Sequence, residues 1–169
     1  MHIVSYPIRT FKITTVCYHT HMSTLVDNKK VHFNYEITDT FEAGIELVGH
    51  EVKSLKKSQG SLDGSYVIIR GAEAFIVGMF VPPYQENNTP EGYEARRNRR
   101  LLLGTKEIQE LANLEGEKGL TIVPISVYNK GSLIKVKIGI AKGKKQYDKR
   151  ETIKKRETDR TVRREFRDR

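Results

Sequence analysis

The side chains of this chain best placed to do chemistry are cations, and they are gathered at one end. Lys142-Gly143-Lys144-Lys145 sets three ammonium groups around a glycine, a pattern in which the backbone can come close to a phosphate while the lysines neutralise it. Between Lys142 and Arg169 stand 13 Lys/Arg and 6 Asp/Glu, a net of +7, whereas residues 22–141 carry 15 of each sign. A neutral body with a cationic extension implies a polyanionic partner. Nucleic acid comes first, bound in a way that weakens as salt rises, because each phosphate contact releases a counterion.

Catalytic groupings do not form. His50-Glu51 lacks a second histidine four residues on, and Gly60 to Gly64 (GSLDG) lacks the lysine and hydroxyl that complete a phosphate loop. Cys17, His19 and His21 crowd together without a fourth ligand, unlike the spacing of a structural zinc site. No metal, no cofactor and no enzymatic activity are expected. The single Cys17 rules out an internal disulfide framework and fits a reducing cytoplasm. No apolar run approaches the roughly 20 residues that a membrane span needs, so a soluble, cytoplasmic monomer without a membrane partner is expected.

Presenting such cations to a polyanion requires a rigid body, and residues 22–141 read as one domain of the usual size. Val31 to Thr38 alternates Val31, Phe33, Tyr35 and Ile37 against polar neighbours, the period of a half-buried strand. Further strands are expected at Ile45 to Val52, Tyr66 to Arg70, Ala74 to Val81, Leu120 to Tyr128 and Leu133 to Ala141, parted by glycine-containing turns. Six strands in so short a span suggest a closed or nearly closed barrel. Asp39 and Glu42 have capping-box spacing, predicting a short helix that ends at Gly44. A second helix is expected from Thr105, through Ile108, Leu111 and Ala112, to a stop at Gly116. Pro82 to Arg100, with four arginines at its end, reads as a long exposed loop. The first 21 residues are expected to be a non-native or dispensable extension upstream of a start at Met22.

The segment 142–169 forms a third region, a basic tail. Glu151/Lys155, Asp159/Arg163 and Glu165/Arg169 are acid-base pairs four apart, but Tyr147, Ile153, Val162 and Phe166 make no apolar stripe. The tail is therefore expected to be disordered alone and to fold on its partner, helical from about Thr152 to Phe166.

Several motifs resemble one family in order. Asn28-Lys29-Lys30, Phe41 to Ile45 (FEAGI), Glu51 to Leu55 (EVKSL), Asp63 to Tyr66 (DGSY), Arg99 to Leu103 (RRLLL), Lys135 to Gly139 (KVKIG) and Ala141 to Arg150 (AKGKKQYDKR) are similar to the SmpB family of tmRNA-binding proteins. The resemblance implies an oligonucleotide-binding (OB)-like barrel of mainly β structure, with short helices and a flexible basic C-terminal tail that becomes helical on the ribosome. It implies a non-enzymatic adaptor that binds the tRNA-like domain of tmRNA. With elongation factor Tu and GTP, such an adaptor delivers tmRNA to stalled ribosomes, where the unfinished peptide is tagged. By the same resemblance, Asn28, Tyr35, Glu42 and Leu102 would meet the elbow of that RNA, and Lys142, Gly143, Lys144 and Lys145 would extend the same face. Tyr147 would stack near the decoding centre, and Asp148, Lys149, Arg150, Lys154 and Arg156 would line the message channel. The capping box offers Glu42 a purely structural role as well. Ala95 to Arg100 (ARRNRR) departs from the family's usual Pro-x-Arg-x-Arg-Lys, implying a less constrained loop. The alternative is a general single-stranded RNA chaperone on an OB-like barrel, which would bind without preference.

Overall fold

The computed structural model describes residues 22–85, 90, 92–116, 119–145, 150, 157–158 and 160–164. The cluster of Cys17, His19 and His21, and the remainder of the first 21 residues, lie outside that set. In chain order the elements are β1 (Met22–Asp27), α1 (Val31–Asn34), β2 (Tyr35–Ile45), α2 (Gly49–Lys56), β3 (Tyr66–Arg70), β4 (Glu73–Val77), β5 (Arg99–Leu102), α3 (Thr105–Glu115), β6 (Leu120–Lys130) and β7 (Leu133–Gly143). The fold is mainly β. Its seven described strands form one antiparallel sheet in the order β1-β6-β3-β4-β5-β2-β7, and β6 also pairs with β7. That extra pairing closes six strands into a ring, with β1 laid on the free edge of β6.

Two apolar clusters hold this ring. Inside it, Ala43, Leu55, Ile76, Leu101, Leu111, Ile122, Val127, Val136 and Ile138 are among the buried side chains. Outside it, Val31, Val123, Ile125 and Ala141 form a smaller cluster against which Tyr35 and Ile37 pack. A strand can serve both because β2 carries a bulge between Ile37 and Asp39. One extra residue exchanges the faces. Before the bulge Ile37 stands opposite Ala141 of the outer cluster, and after it Phe41 stands opposite Ile138 of the inner core.

This ladder overrides three local expectations. The capping box at Asp39 to Glu42 forms no helix, because β2 runs unbroken through it and pairs with β7 from Tyr35 to Gly44. Val31 to Asn34, expected as strand, is a helical turn. The Asn28 Nδ2 donates to Pro124 O (3.1 Å) and Leu62 O (3.4 Å), and the pinned chain then closes Asn34 N onto Lys30 O at 3.0 Å. Ile45 to Val52, also expected as strand, ends β2 and enters α2. There the Glu51 carboxylate accepts from the Val48 amide at 2.9 Å and satisfies a free donor at the helix start. The strand β3 and the β6–β7 hairpin stand where they are expected, with β6 reaching Lys130 and β7 Gly143, whereas β4 ends at Val77, short of the expected Val81, because Gly78 takes a φ of +77° and turns the chain. The helix expected at Thr105 is α3, its first turn closed by Glu107 Oε2 accepting from Gly104 N at 2.7 Å.

Of the arginines expected in an exposed loop, Arg96 and Arg100 are exposed, but Arg99 is buried and, with Arg100, belongs to a strand. Arg99 opens β5 and its side chain is 0% exposed, as is that of Glu51. Arg99 donates to Glu51 Oε1 from Nε (3.0 Å) and Nη2 (2.8 Å), and its remaining donors reach the carbonyls of Met79, Ala95 and Arg97. Arg97 donates to Glu51 Oε2 from Nη2 at 2.6 Å and to Oε1 from Nε at 3.0 Å, and the Tyr93 hydroxyl lies 3.3 Å from Oε1. Burial pushes the Glu51 carboxyl up, but the Arg97 guanidinium, the Val48 amide and Arg99 outweigh it and hold the pKa at about 2. A loop that lacks the family's proline is thus tied to the body by charge.

Candidate nucleic-acid interface

The bulge in β2 has a direct consequence for the site. Tyr35 precedes it and Glu42 follows it, so an odd and an even position come to lie on the same outer side of the sheet, away from the inner core. Their register partners share that side: Gly143 stands opposite Tyr35, and Lys137 opposite Glu42. Leu102 joins them from β5, opposite Gly44, while its neighbour Leu101 turns into the core. A Cβ on Gly44 would stand 3.1 Å from the Leu102 Cβ, so the glycine lets Leu102 lie over the strand, 54% exposed. At Gly139 a Cβ would come within 2.9 Å of Ile125 and 3.0 Å of Ile37, which explains a glycine in the KVKIG stretch.

At the centre of this face Glu42 is saturated with donors. Its Oε2 accepts from the Tyr128 hydroxyl at 2.5 Å and from Lys130 Nζ at 3.1 Å, while its Oε1 lies 3.0 Å from Lys130 Nζ and 3.3 Å from Lys135 Nζ. Four contacts match the roughly four lone-pair positions of a carboxylate. The Tyr128 hydrogen bond, then Lys130, with a smaller part from Lys135, bring the Glu42 pKa down to about 2. Burial and the Glu42 carboxylate push Tyr128 up to about 12. A groove of about 360 Å³ runs beside this cluster, lined by Thr24, Thr40, Phe41, Ser126, Tyr128 and Lys137 among others.

The cations at the other end of the ladder are equally well placed. Lys142 and Gly143 lie within β7, opposite Glu36 and Tyr35. The Lys144 amide donates to Asn34 O at 2.9 Å and its Nζ to His32 O at 3.0 Å, so the chain leaving the strand is held against α1. Lys145 is exposed. Asn28 is only 8% exposed and spends its amide on two protein carbonyls. Together with Tyr35 it lines a polar cleft of about 290 Å³ that also contains Lys30, Asn34, Asp63 and Tyr66.

The structure therefore brings Tyr35, Glu42, Leu102 and Gly143 onto one face, flanks that face with Lys142, Lys144 and Lys145, and gives Asn28 a scaffolding part. Arg150 is exposed, and Tyr147, Asp148, Lys149, Lys154 and Arg156 lie outside the described residues. Residues 157, 158 and 160–164 are helical, and the Thr161 hydroxyl donates to Glu157 O at 3.0 Å. The sequence reading missed Lys130, Lys135, Lys137 and Tyr128. Lys135 and Lys137 were detectable, because two lysines two apart on a strand must share a face.

The charged cluster makes a prediction about acid. Glu42 and Glu51 both titrate at about 2 in the fold, below the ordinary 4.5. The unfolded chain thus binds more protons than the folded one in that window, and stability rises with pH across it. The melting temperature should be level down to about pH 5 and fall as pH drops from about 4.5 toward 2. Glu42→Gln should remove part of that acid-side fall. Melts of both proteins from neutral pH to pH 2 check this, and superimposable acid limbs would contradict it.

Comparison with known proteins gives a consistent result. The model of the family "SmpB protein" matches residues 25–168. An SsrA-binding protein of Elusimicrobium minutum is 48% identical over 139 residues, which cover 82% of this chain and 88% of that protein. The SsrA-binding protein of Chlorobaculum tepidum is 47% identical over 140 residues, covering 82% and 88%. A chain in the solved structure "tmRNA-SmpB: a journey to the center of the bacterial ribosome" superposes with a TM-score of 0.62 at 35% identity, over 73% of this chain and 87% of that one.

Proposed function

The chain belongs to the SmpB family, and from that premise we propose that it is a non-enzymatic adaptor that binds the tRNA-like domain of tmRNA and takes it to stalled ribosomes. The observation that carries the reading is the family match across residues 25–168, which includes both the barrel and most of the tail. The geometry supports it. The outer face offers an apolar contact in Leu102, a carboxylate in Glu42 and cations in Lys130, Lys135 and Lys137, all on strands.

Glu42 has a defined part in this reading. In the free protein its acceptor sites are occupied by Tyr128, Lys130 and Lys135. An RNA phosphate drawing either lysine away would free a carboxylate oxygen for a 2′-hydroxyl or a base edge, the groups by which folded RNA is read. The lysines then supply salt-dependent affinity and Glu42 supplies selectivity. Lys142, Lys144 and Lys145 extend the phosphate contacts along the same ladder. Tyr147 and the tail residues 148–150, 154 and 156 act on the ribosome, with elongation factor Tu and GTP engaged through the RNA and the protein working as a monomer.

The test is competition binding. The protein should prefer the tRNA-like domain of tmRNA over an unrelated RNA of equal length, which a general chaperone would not do. Glu42→Ala should cost about 1–3 kcal/mol of that binding, because the RNA donors lose their acceptor, while the unrelated RNA binds as before. Equal affinity for both RNAs in the native protein would overturn the reading. Unchanged affinity in a variant with a normal melt would remove Glu42 from recognition.

A further inference from the structure

The body nets zero charge, but its cations are not all matched. Lys30 pairs with Asp63, Arg97 and Arg99 with Glu51, Arg100 with Glu73, and Lys130 and Lys135 with Glu42. Lys53, Lys56 and Lys57, at the end of α2, have no acidic partner among the described residues, and all three are exposed. A helix C-terminus favours cations through its dipole, which accounts for basic residues in this turn.

It does not account for their arrangement. Lys53 Nζ and Lys57 Nζ lie 5.8 Å and 4.6 Å from the centroid of one ring, that of Tyr84. The ring is fixed to the same helix, because the Ser54 hydroxyl donates to Pro82 O at 2.7 Å, two residues before Tyr84. Two like charges are thereby gathered by an aromatic ring with no carboxylate of the described residues paired to either. The repulsion they retain is relieved by an anion that contacts both. Nearby, the Arg96 guanidinium lies 5.5 Å from the Phe80 ring centroid, and its Nη1 donates to Gly78 O at 3.2 Å. Phe80 and Tyr84, four residues apart in the chain, thus each hold cations over a ring, the pairing of charge and aromatic that surfaces binding a nucleic-acid strand use.

We propose that Lys53, Lys56 and Lys57 with Tyr84 form a second RNA-phosphate surface on the body, separate from the face centred on Glu42. The proposal rests on the RNA-binding reading above, and its ligand is the phosphate backbone of folded RNA. Either the tmRNA or ribosomal RNA could supply that backbone.

The experiment uses the full-length protein and the triple variant Lys53→Gln/Lys56→Gln/Lys57→Gln, whose side chains are exposed and whose melt should match the native one. Affinity for the tRNA-like domain and for purified ribosomes is measured across a salt series. Against one of these two ligands, the log-log salt slope should fall by about 2, at about 0.7 to 0.9 per lost contact. The ligand affected identifies the RNA. Tyr84→Leu should lower affinity for that same ligand several-fold by releasing the two lysines. Native slopes for both ligands in the triple variant would overturn the proposal and leave the main reading standing, whereas failure of the native protein to bind either RNA would overturn both.

Discussion

Glu51→Gln should lower the free energy of unfolding by about 3–5 kcal/mol, the usual cost of removing one member of a buried ion pair. The substitution preserves shape but leaves Arg99 charged at 0% exposure, with two of its hydrogen bonds directed at a group that no longer carries charge. Arg97 would lose its partner as well, but at 31% exposure it can turn to water. For a domain with a typical stability of about 5–15 kcal/mol the loss is a large fraction of the whole. It should also reach the proposed RNA face, because Arg99 begins the four-residue strand that ends in Leu102. Urea denaturation followed by circular dichroism measures the effect. A midpoint shift equivalent to less than about 1 kcal/mol, with an unchanged slope, would mean that the pair is dispensable. Arg99→Met should be similarly severe, and the double variant markedly less than the sum, because the two residues act as one unit.

Truncation after Arg150 should leave binding to the tRNA-like domain largely intact and reduce peptide tagging on stalled ribosomes to background. The proposed recognition residues Tyr35, Glu42 and Leu102 lie on strands of the body. The helical residues 160–164 include Val162 at 42% exposure, so this apolar side chain is not buried against the barrel. The removed segment holds 8 Lys/Arg against 5 Asp/Glu, so a modest loss of salt-dependent affinity is expected. Side-by-side binding isotherms and a tagging assay separate the two activities, and equal loss of both would refute the division of labour. The described residues 157, 158 and 160–164 are helical and fall within the span expected to be helical on the partner.

The amino-acid sequence by itself determined the partner class and the outline of the body. Charge is additive along a chain, so the separation of a neutral body from a cationic tail survives any folding. The β-branched apolar stretches Tyr66 to Arg70, Leu120 to Tyr128 and Leu133 to Ala141, bounded by glycine turns, needed only a neighbouring strand to become β structure. The family motifs located Glu42 and Leu102, but their linear order carries no spatial relation between them.

Tertiary structure decided the rest, because the deciding contacts join residues far apart in the chain. Asp39 to Glu42 has a helix-start pattern worth about 1 kcal/mol, which cannot compete with a ladder of paired strands. Glu42 instead meets Tyr128 and Lys130, 86 and 88 residues away. Arg99 reads as an exposed loop cation until Glu51, 48 residues earlier, is folded against it. The bulge at Ile37/Asp39 is invisible to a strict period of two, yet it alone places Tyr35 and Glu42 on one face. A net charge of zero conceals the unmatched lysines of α2, since a sum carries no information about where its members lie.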